Sequence, residues 1–227
     1  MPFRSLAQLN ACIVACRACP RLVTWREQVA REKRAAYREE EYWGRPVPGF
    51  GDPQARLLIC GLAPAAHGGN RTGRVFTGDR SGDWLYGALH RAGFANQPTS
   101  THRGDGLCLT DCYIGACVRC APPQNKPTPQ ERDTCLPYLV AELRLLRHLR
   151  VIVCLGAFAW DGAWRALRAM DRARDRKPRF GHAALAVIGS LTLLGCYHPS
   201  QQNTFTGRLT QEMLNGVLQL ARARTGR

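Results

Sequence analysis

The chain has 227 residues, the upper size of one ordinary domain, and 45% of them are apolar, enough to bury a core. Thirty-two Lys and Arg against 17 Asp and Glu leave a net charge of +15, which favours a polyanion such as nucleic acid, because each neutralised phosphate releases condensed counterions. There is no 18-residue apolar run and no basic-then-apolar leader, so neither a membrane span nor a secretory signal is expected; a cytoplasmic, monomeric protein of a single domain over 1–227 is.

The first fifty residues read as a helical lead-in. From Ser5 to Cys19, Leu6, Leu9, Ile13 and Cys16 recur at helical spacing, and Trp25 to Tyr42 is charged and helix-compatible. Pro46, Pro48, Gly49, Gly51 and Pro53 then break the chain into a loop. Arg56 to Ala63 is a short continuous apolar run ending near glycine, the pattern of a buried parallel strand. After a long loop from Pro64 to Arg80, Ser81 to His90 reads as a helix capped by Ser81.

Leu107 to Val118 is the second strand region, followed by a Pro-rich loop from Ala121 to Pro127. Thr128, Pro129 and Glu131 form a capping box that opens a helix running to about His148. Val151 to Gly156 is the third strand, and Ala157 to about Met170 a helix. Leu185 to Ile188 and Leu191 to Tyr197 are extended, and a last helix is expected over about Thr206 to Ala223. This alternation predicts an α/β fold: a three-layer α/β/α sandwich around a short, mainly parallel sheet. In such sheets function gathers at the carboxyl ends of the strands. The loop after Ala63, the loop after Cys120 and the segment from His198 onward all lie at such ends.

Eleven cysteines without a secretion signal point away from disulfides. Cys16 and Cys19 form a CxxC pair at the end of the first helix, and Cys120 and Cys135 are the best second pair, with Cys117 the rival to Cys120. Cys60, Cys108, Cys154 and Cys196 sit in apolar runs and read as core. Four thiolates suit zinc or an iron–sulfur cluster, and spacing does not choose between them.

Small residues from Gly61 to Gly73 let backbone approach a flat ligand, and Phe76 and Asp79 follow with one ring and one carboxylate. Neither a Walker motif nor a GxGxxG fingerprint is present, which disfavours nucleotide cofactors. Four ordered pieces then become informative together: Gly61-Leu62-Ala63-Pro64-Ala65, the run Arg74 to Asp79, the run Cys120 to Pro129 that includes Asn125, and His198 to Arg208. In this combination the chain resembles the uracil-DNA glycosylase superfamily, specifically its family 5, the type-b enzymes. The resemblance runs from the Cys16–Cys19 pair to Arg208.

It implies a structural [4Fe–4S] cluster on Cys16, Cys19, Cys120 and Cys135. It also implies base-excision repair: hydrolysis of the N-glycosidic bond of uracil and other deaminated bases in DNA, leaving an abasic site. His198 is then the donor to the leaving base, Asn125 a ligand of the attacking water, and Asp79 a base or electrostatic partner. Phe76 stacks on the base; Gly61, Leu62, Ala63, Pro64, Ala65, Ala66 and Asn203 line its pocket; and Ser200, Thr206 and Arg208 contact phosphate. Two positions depart from the related family 4, where a Glu stands in place of Leu62 and an Asn in place of Ala116; both departures match family 5. Other readings are a glycosylase of the same fold acting mainly on hypoxanthine or another lesion, and a non-catalytic iron–sulfur DNA-binding protein.

Overall fold

The computed structural model describes residues 3–226. A six-stranded sheet forms the centre, in the order β1-β3-β2-β4-β6-β5. Its four inner strands are β3 (Cys112–Ala116), β2 (Leu57–Gly61), β4 (Val151–Leu155) and β6 (Leu191–Cys196), all parallel, with every residue buried. Burial on both faces is why these strands read as unbroken apolar runs without alternation. Two antiparallel edge strands complete the sheet: β1 (Phe50–Gly51) on β3, and β5 (Leu185–Ile188), which forms a hairpin with β6. The fold is therefore α/β with a mixed, mostly parallel sheet flanked by helices, as expected.

On one face, α4 (Arg80–Arg91) and α8 (Gln211–Thr225) close a core around Leu57, Ile59, Leu89 and Leu218. On the other face, α5 (Pro129–Leu145) and α6 (Ala157–Ala169) bury Leu58, Cys60, Leu139 and Trp160. Helix α1 (Leu6–Val14) packs on α5, and α2 (Pro20–Glu32) contacts the short α3 (Gly69–Thr72). Among the described residues no helix is long and apolar enough to cross a membrane.

Several boundaries differ from the sequence expectation. The lead-in breaks at Cys19, which N-caps α2 with Pro20 at its first position, and α2 ends at Glu32, well short of Tyr42. Proline belongs at that position because its missing N–H would be unpaired anyway. Helix α4 is capped by Asp79, whose side chain accepts from the Gly82 N–H, so Ser81 is inside the helix. Residues 107–111 are not strand: Asp111 takes a left-handed φ of 59° just before β3. The final segment is two helices, α7 (Gln201–Phe205) and α8, separated by Gly207 at φ +71°. Cys108, expected in the core, is exposed because it lies in the loop before β3. Cys60, Cys154 and Cys196 are buried as expected.

Candidate active site

The carboxyl ends of β2, β3 and β6 open into one cleft of about 570 Å³. Its walls include Leu62 to Ala65 from the loop after β2, Phe76 and Asp79 from the approach to α4, Ala116 from the end of β3, Asn125 from the Pro-rich loop, and His198 and Ser200 from beyond β6. Segments far apart in the chain thus supply one surface.

Two of these segments hold an unusual backbone conformation. Phe76 takes φ 51°, in the left-handed region, which costs a non-glycine residue about 1–2 kcal/mol. Arg74, two residues before it, is buried and bonded to Thr77, Ser100 and Asp105, the last at 2.6 Å. The Arg74 guanidinium holds the Asp105 carboxyl well below the usual range, against the opposing effect of burial. The Tyr86 hydroxyl donates to the carbonyl of Val75 at 2.9 Å, fixing the residue between. Glycines make the room: a Cβ at Gly61 would come within 3.0 Å of the Phe76 ring, and one at Gly82 within 1.9 Å of its carbonyl oxygen.

Asn125 and its neighbour Gln124 also have left-handed φ angles, 56° and 54°, inside the short 3-10 turn Pro123–Asn125. Asparagine tolerates that region better than most residues. Arg21, on α2, holds this loop from outside. It donates to the Lys126 carbonyl at 3.3 Å and to both oxygens of Glu131 at 2.7 Å. Glu131 closes the capping box of α5, accepting from the Thr128 N–H while the Thr128 hydroxyl accepts from the Glu131 N–H.

His198 sits one residue beyond Tyr197 with its ring centroid 5.8 Å from that of Phe76, the two planes tilted by 35°. Burial pushes its imidazole down to about 4, so at neutral pH the ring is uncharged. Asn203 donates its side-chain N–H to the His198 carbonyl at 2.8 Å and thereby fixes the backbone that carries the ring. Asp79 is pushed upward by burial, with the Gly82 and Ser81 N–H groups opposing. One of its oxygens caps α4; the other lies where a Cβ at Gly68 would stand 2.0 Å away.

The structure gathers most of the expected site residues and leaves some outside the cleft wall. Gly61 seats the Phe76 ring from below. Ala66 and Asn203 are not part of the lining. Thr206 turns its hydroxyl back to the Gln202 carbonyl at 2.7 Å, and Arg208 stacks its guanidinium 4.8 Å over the Tyr197 ring. The cleft also takes Ser81, Gln201 and Gln202, together with Val75, Arg80, Gln124 and Lys126, to which sequence reasoning assigned no site role. Gln124 and Lys126 flank Asn125 in its motif, so their adjacency was the available signal. Next to the rim, Phe205 is 66% exposed with the Arg80 guanidinium 4.5 Å over its ring.

Around Leu22 and Val118 a separate small core brings Cys19, Cys120 and Cys135 together. Cys16 belongs to the same group: its charge, with that of Cys19, raises the Cys120 thiol, which burial pushes to about 11 against Arg26. Burial also takes Cys135 to about 12, with contributions from Cys120 and Cys19. The buried Arg26 donates to the Cys120 sulfur at 2.9 Å and to the Cys16 carbonyl at 3.3 Å. Cys117 lies elsewhere, 3.6 Å from the Cys60 sulfur in the core beneath α6. Among the described residues no three His, Cys, Asp or Glu side chains are gathered tightly enough to hold a single metal ion.

The family model of the Uracil DNA glycosylase superfamily matches residues 48–222. The chain is 58% identical to a type-5 uracil-DNA glycosylase of Mycobacterium bovis, over 98% of this chain and 82% of that protein. It is 53% identical to a type-5 uracil-DNA glycosylase of Thermus thermophilus, over 94% and 95% of the two chains. A type-4 uracil-DNA glycosylase of Pyrobaculum aerophilum is 30% identical over 70% of this chain and 74% of its own.

Proposed function

The chain belongs to the uracil-DNA glycosylase superfamily, and we infer from its likeness to the type-5 members that it excises uracil from DNA in base-excision repair. It is a hydrolase: the bond from the base nitrogen to C1′ of the sugar breaks, water adds its oxygen to C1′, and the electron pair and a proton end on the base. The observation that carries the reading is the single cleft in which Phe76, Asn125 and His198 meet at the carboxyl edge of the sheet.

A base extruded from the stack costs a few kcal/mol, which the enzyme must recover in the pocket. The Phe76 ring, fixed by the Arg74 anchor, offers the stacking face. As negative charge grows on the departing base, a neutral His198 N–H donates to its O2 oxygen. A donor already in place costs no reorganisation at that moment, and removing one such group typically lowers the rate by about 10²–10³. Asn125, projecting from a strained turn, orients the water; an oxocarbenium-like sugar needs only a weak nucleophile, so orientation suffices. Asp79 serves first as the cap of α4, and its second oxygen is an electrostatic partner for the sugar cation. Gln202 in the cleft wall and the exposed Phe205 beside it are the side chains we assign to fill the vacated stack, with Ser200 as a phosphate contact, joined by Thr206 and Arg208 if they leave their contacts with Gln202 and Tyr197.

The wall at Leu62 and Ala116 carries neither a carboxylate nor an amide, so no side chain there reads a pyrimidine edge. That supports excision of other deaminated bases, hypoxanthine included. The four thiols of Cys16, Cys19, Cys120 and Cys135 fit a [4Fe–4S] cluster. They are sulfur-only donors from three segments, with a buried guanidinium beside them to balance thiolate charge. A four-iron cube asks for wider-set thiolates than one zinc ion, whose sulfurs lie about 2.3 Å from the metal. When bound, the cluster supplies a cross-link and no step of the hydrolysis.

Incubation of the protein with a uracil-containing duplex, followed by alkali, tests the reading. Strand scission at the uracil is expected, and its absence at high enzyme excess refutes it. His198→Ala is expected to lower single-turnover excision by about 10²–10³ while DNA binding survives.

A further inference from the structure

Beside the cleft, at the carboxyl end of β4, lies a second open groove of about 780 Å³. Trp160 and Phe180 form its floor, their ring centroids 6.1 Å apart, and Arg176, Lys177 and Arg179 stand along its rim. The rim belongs to the segment joining α6 to β5, and two fastenings hold it in place. The Trp160 indole N–H donates to the Pro178 carbonyl at 2.9 Å, and Lys177 is tied to Asp161. Asp161 also receives Arg132 and Arg165, both at 2.7 Å, so it has no capacity for further cations. Arg176 and Arg179 flank the fastened pair, are exposed, and have no ion-pair partner among the described residues. Two free guanidiniums on a segment pinned between them form a pre-set cationic edge, whereas a merely solvated charge run would show no such anchoring.

The groove neighbours the active site through one aromatic contact. Phe180 lies 6.2 Å from the Tyr197 ring, Arg208 covers that ring at 4.8 Å, and Tyr197 is followed directly by His198. We propose that the groove carries the phosphate backbone of DNA flanking the excised base, with Arg176 and Arg179 as phosphate ligands. The occupant follows from charge complementarity in a chain of net charge +15 and from the contact of Phe180 with Tyr197, the residue before His198. It rests on the glycosylase reading for the presence of DNA. Guanidinium forks pair with phosphate oxygens in two-point geometry, which suits arginine at both positions.

The test is equilibrium binding of the full-length protein to a duplex carrying a tetrahydrofuran abasic analogue, at several salt concentrations. Arg176→Gln/Arg179→Gln is compared with Arg147→Gln/Arg150→Gln. The second pair removes the same charge from exposed positions at the opposite, amino-terminal end of β4. Each phosphate ligand removed flattens the slope of log K against log salt by about 0.9. A change of about 2 is therefore expected for the groove pair. The control pair should change the slope by less than about half a unit and keep wild-type excision. Equal slopes for the two pairs, or no change in either, overturn the proposal. Melting temperatures near wild type establish that neither pair has unfolded the protein. A wild-type protein that binds this duplex with the expected slopes yet excises no uracil would leave the groove standing and refute the glycosylase reading.

Discussion

His198 follows a fully buried strand and, like Tyr197 before it, is half-buried, with its ring packed beside Phe76 in the cleft wall. Burial of the ring against these neighbours pushes the imidazole from 6.5 down to about 4. A histidine lowered in this way contributes stability that is fully present above pH 6.5 and is lost as pH falls through about 4, because the unfolded chain takes up the proton first. The ring resonances of His198, followed by NMR, are therefore expected to show no titration between about pH 5.5 and 8; a midpoint near 6.5 would mean that the donor is an imidazolium for part of the working range. Asp79 presents a different separation of roles. Asp79→Ser keeps an N-cap for α4 and deletes the carboxylate, whereas Asn125→Ala deletes the amide proposed to orient water. Single-turnover excision is expected to fall about a hundredfold for Asn125→Ala and less for Asp79→Ser. The reverse order would make Asp79 the group that handles the water. Both residues were visible in the sequence as parts of motifs, but the cap of the following helix was read at Ser81. Ser81 satisfies the same composition rule, and only the folded chain shows which side chain reaches the Gly82 N–H.

At the scale of elements, the inner strands were legible because burial on both faces writes them as apolar runs, and the α5 capping box because its residue types and spacing have few other uses. What the sequence hid was short or depended on distant partners: the two-residue β1, the short α7, and the left-handed turn at Gln124 and Asn125. That turn is held by Arg21, 105 residues away from the Lys126 carbonyl in the chain, and no local pattern announces such a contact. Arg21 also pairs with Glu131, whose carboxyl stays below its usual range because Arg21 and the Thr128 N–H outweigh burial. One side chain of α2 thus positions both the Asn125 loop and the start of α5. Arg21→Met is expected to lower single-turnover excision about ten- to a hundredfold, since displacements near 1 Å cost that much in positioned chemistry. KM and visible absorption should change little. A rate equal to wild type would show that the turn holds its shape without α2.

Across the whole molecule, the cleft draws on both ends of the chain. Phe76, Asn125 and His198 stand on the sheet, while the helices that brace the Asn125 loop come from the amino-terminal lead-in, held to the rest by α1 on α5 and by the thiol-lined core around Leu22. That core is small, with four buried residues, and cannot match the two large ones in apolar burial. The cluster proposed on Cys16, Cys19, Cys120 and Cys135 would offset the deficit, because a group that binds only the folded chain adds its binding free energy to folding. Anaerobically purified protein is expected to be brown with about four irons per chain. A colourless protein containing zinc would refute the cluster. Cys19→Ala is expected to lose the colour and to lower the melting temperature on the order of 10 °C, by comparison with the loss of a covalent cross-link in a chain of this length. Excision by Cys19→Ala, measured well below its melting point, should fall no further than in Arg21→Met, since both changes act through the same loop. A much deeper loss with the fold intact would assign the cluster a part in the hydrolysis itself.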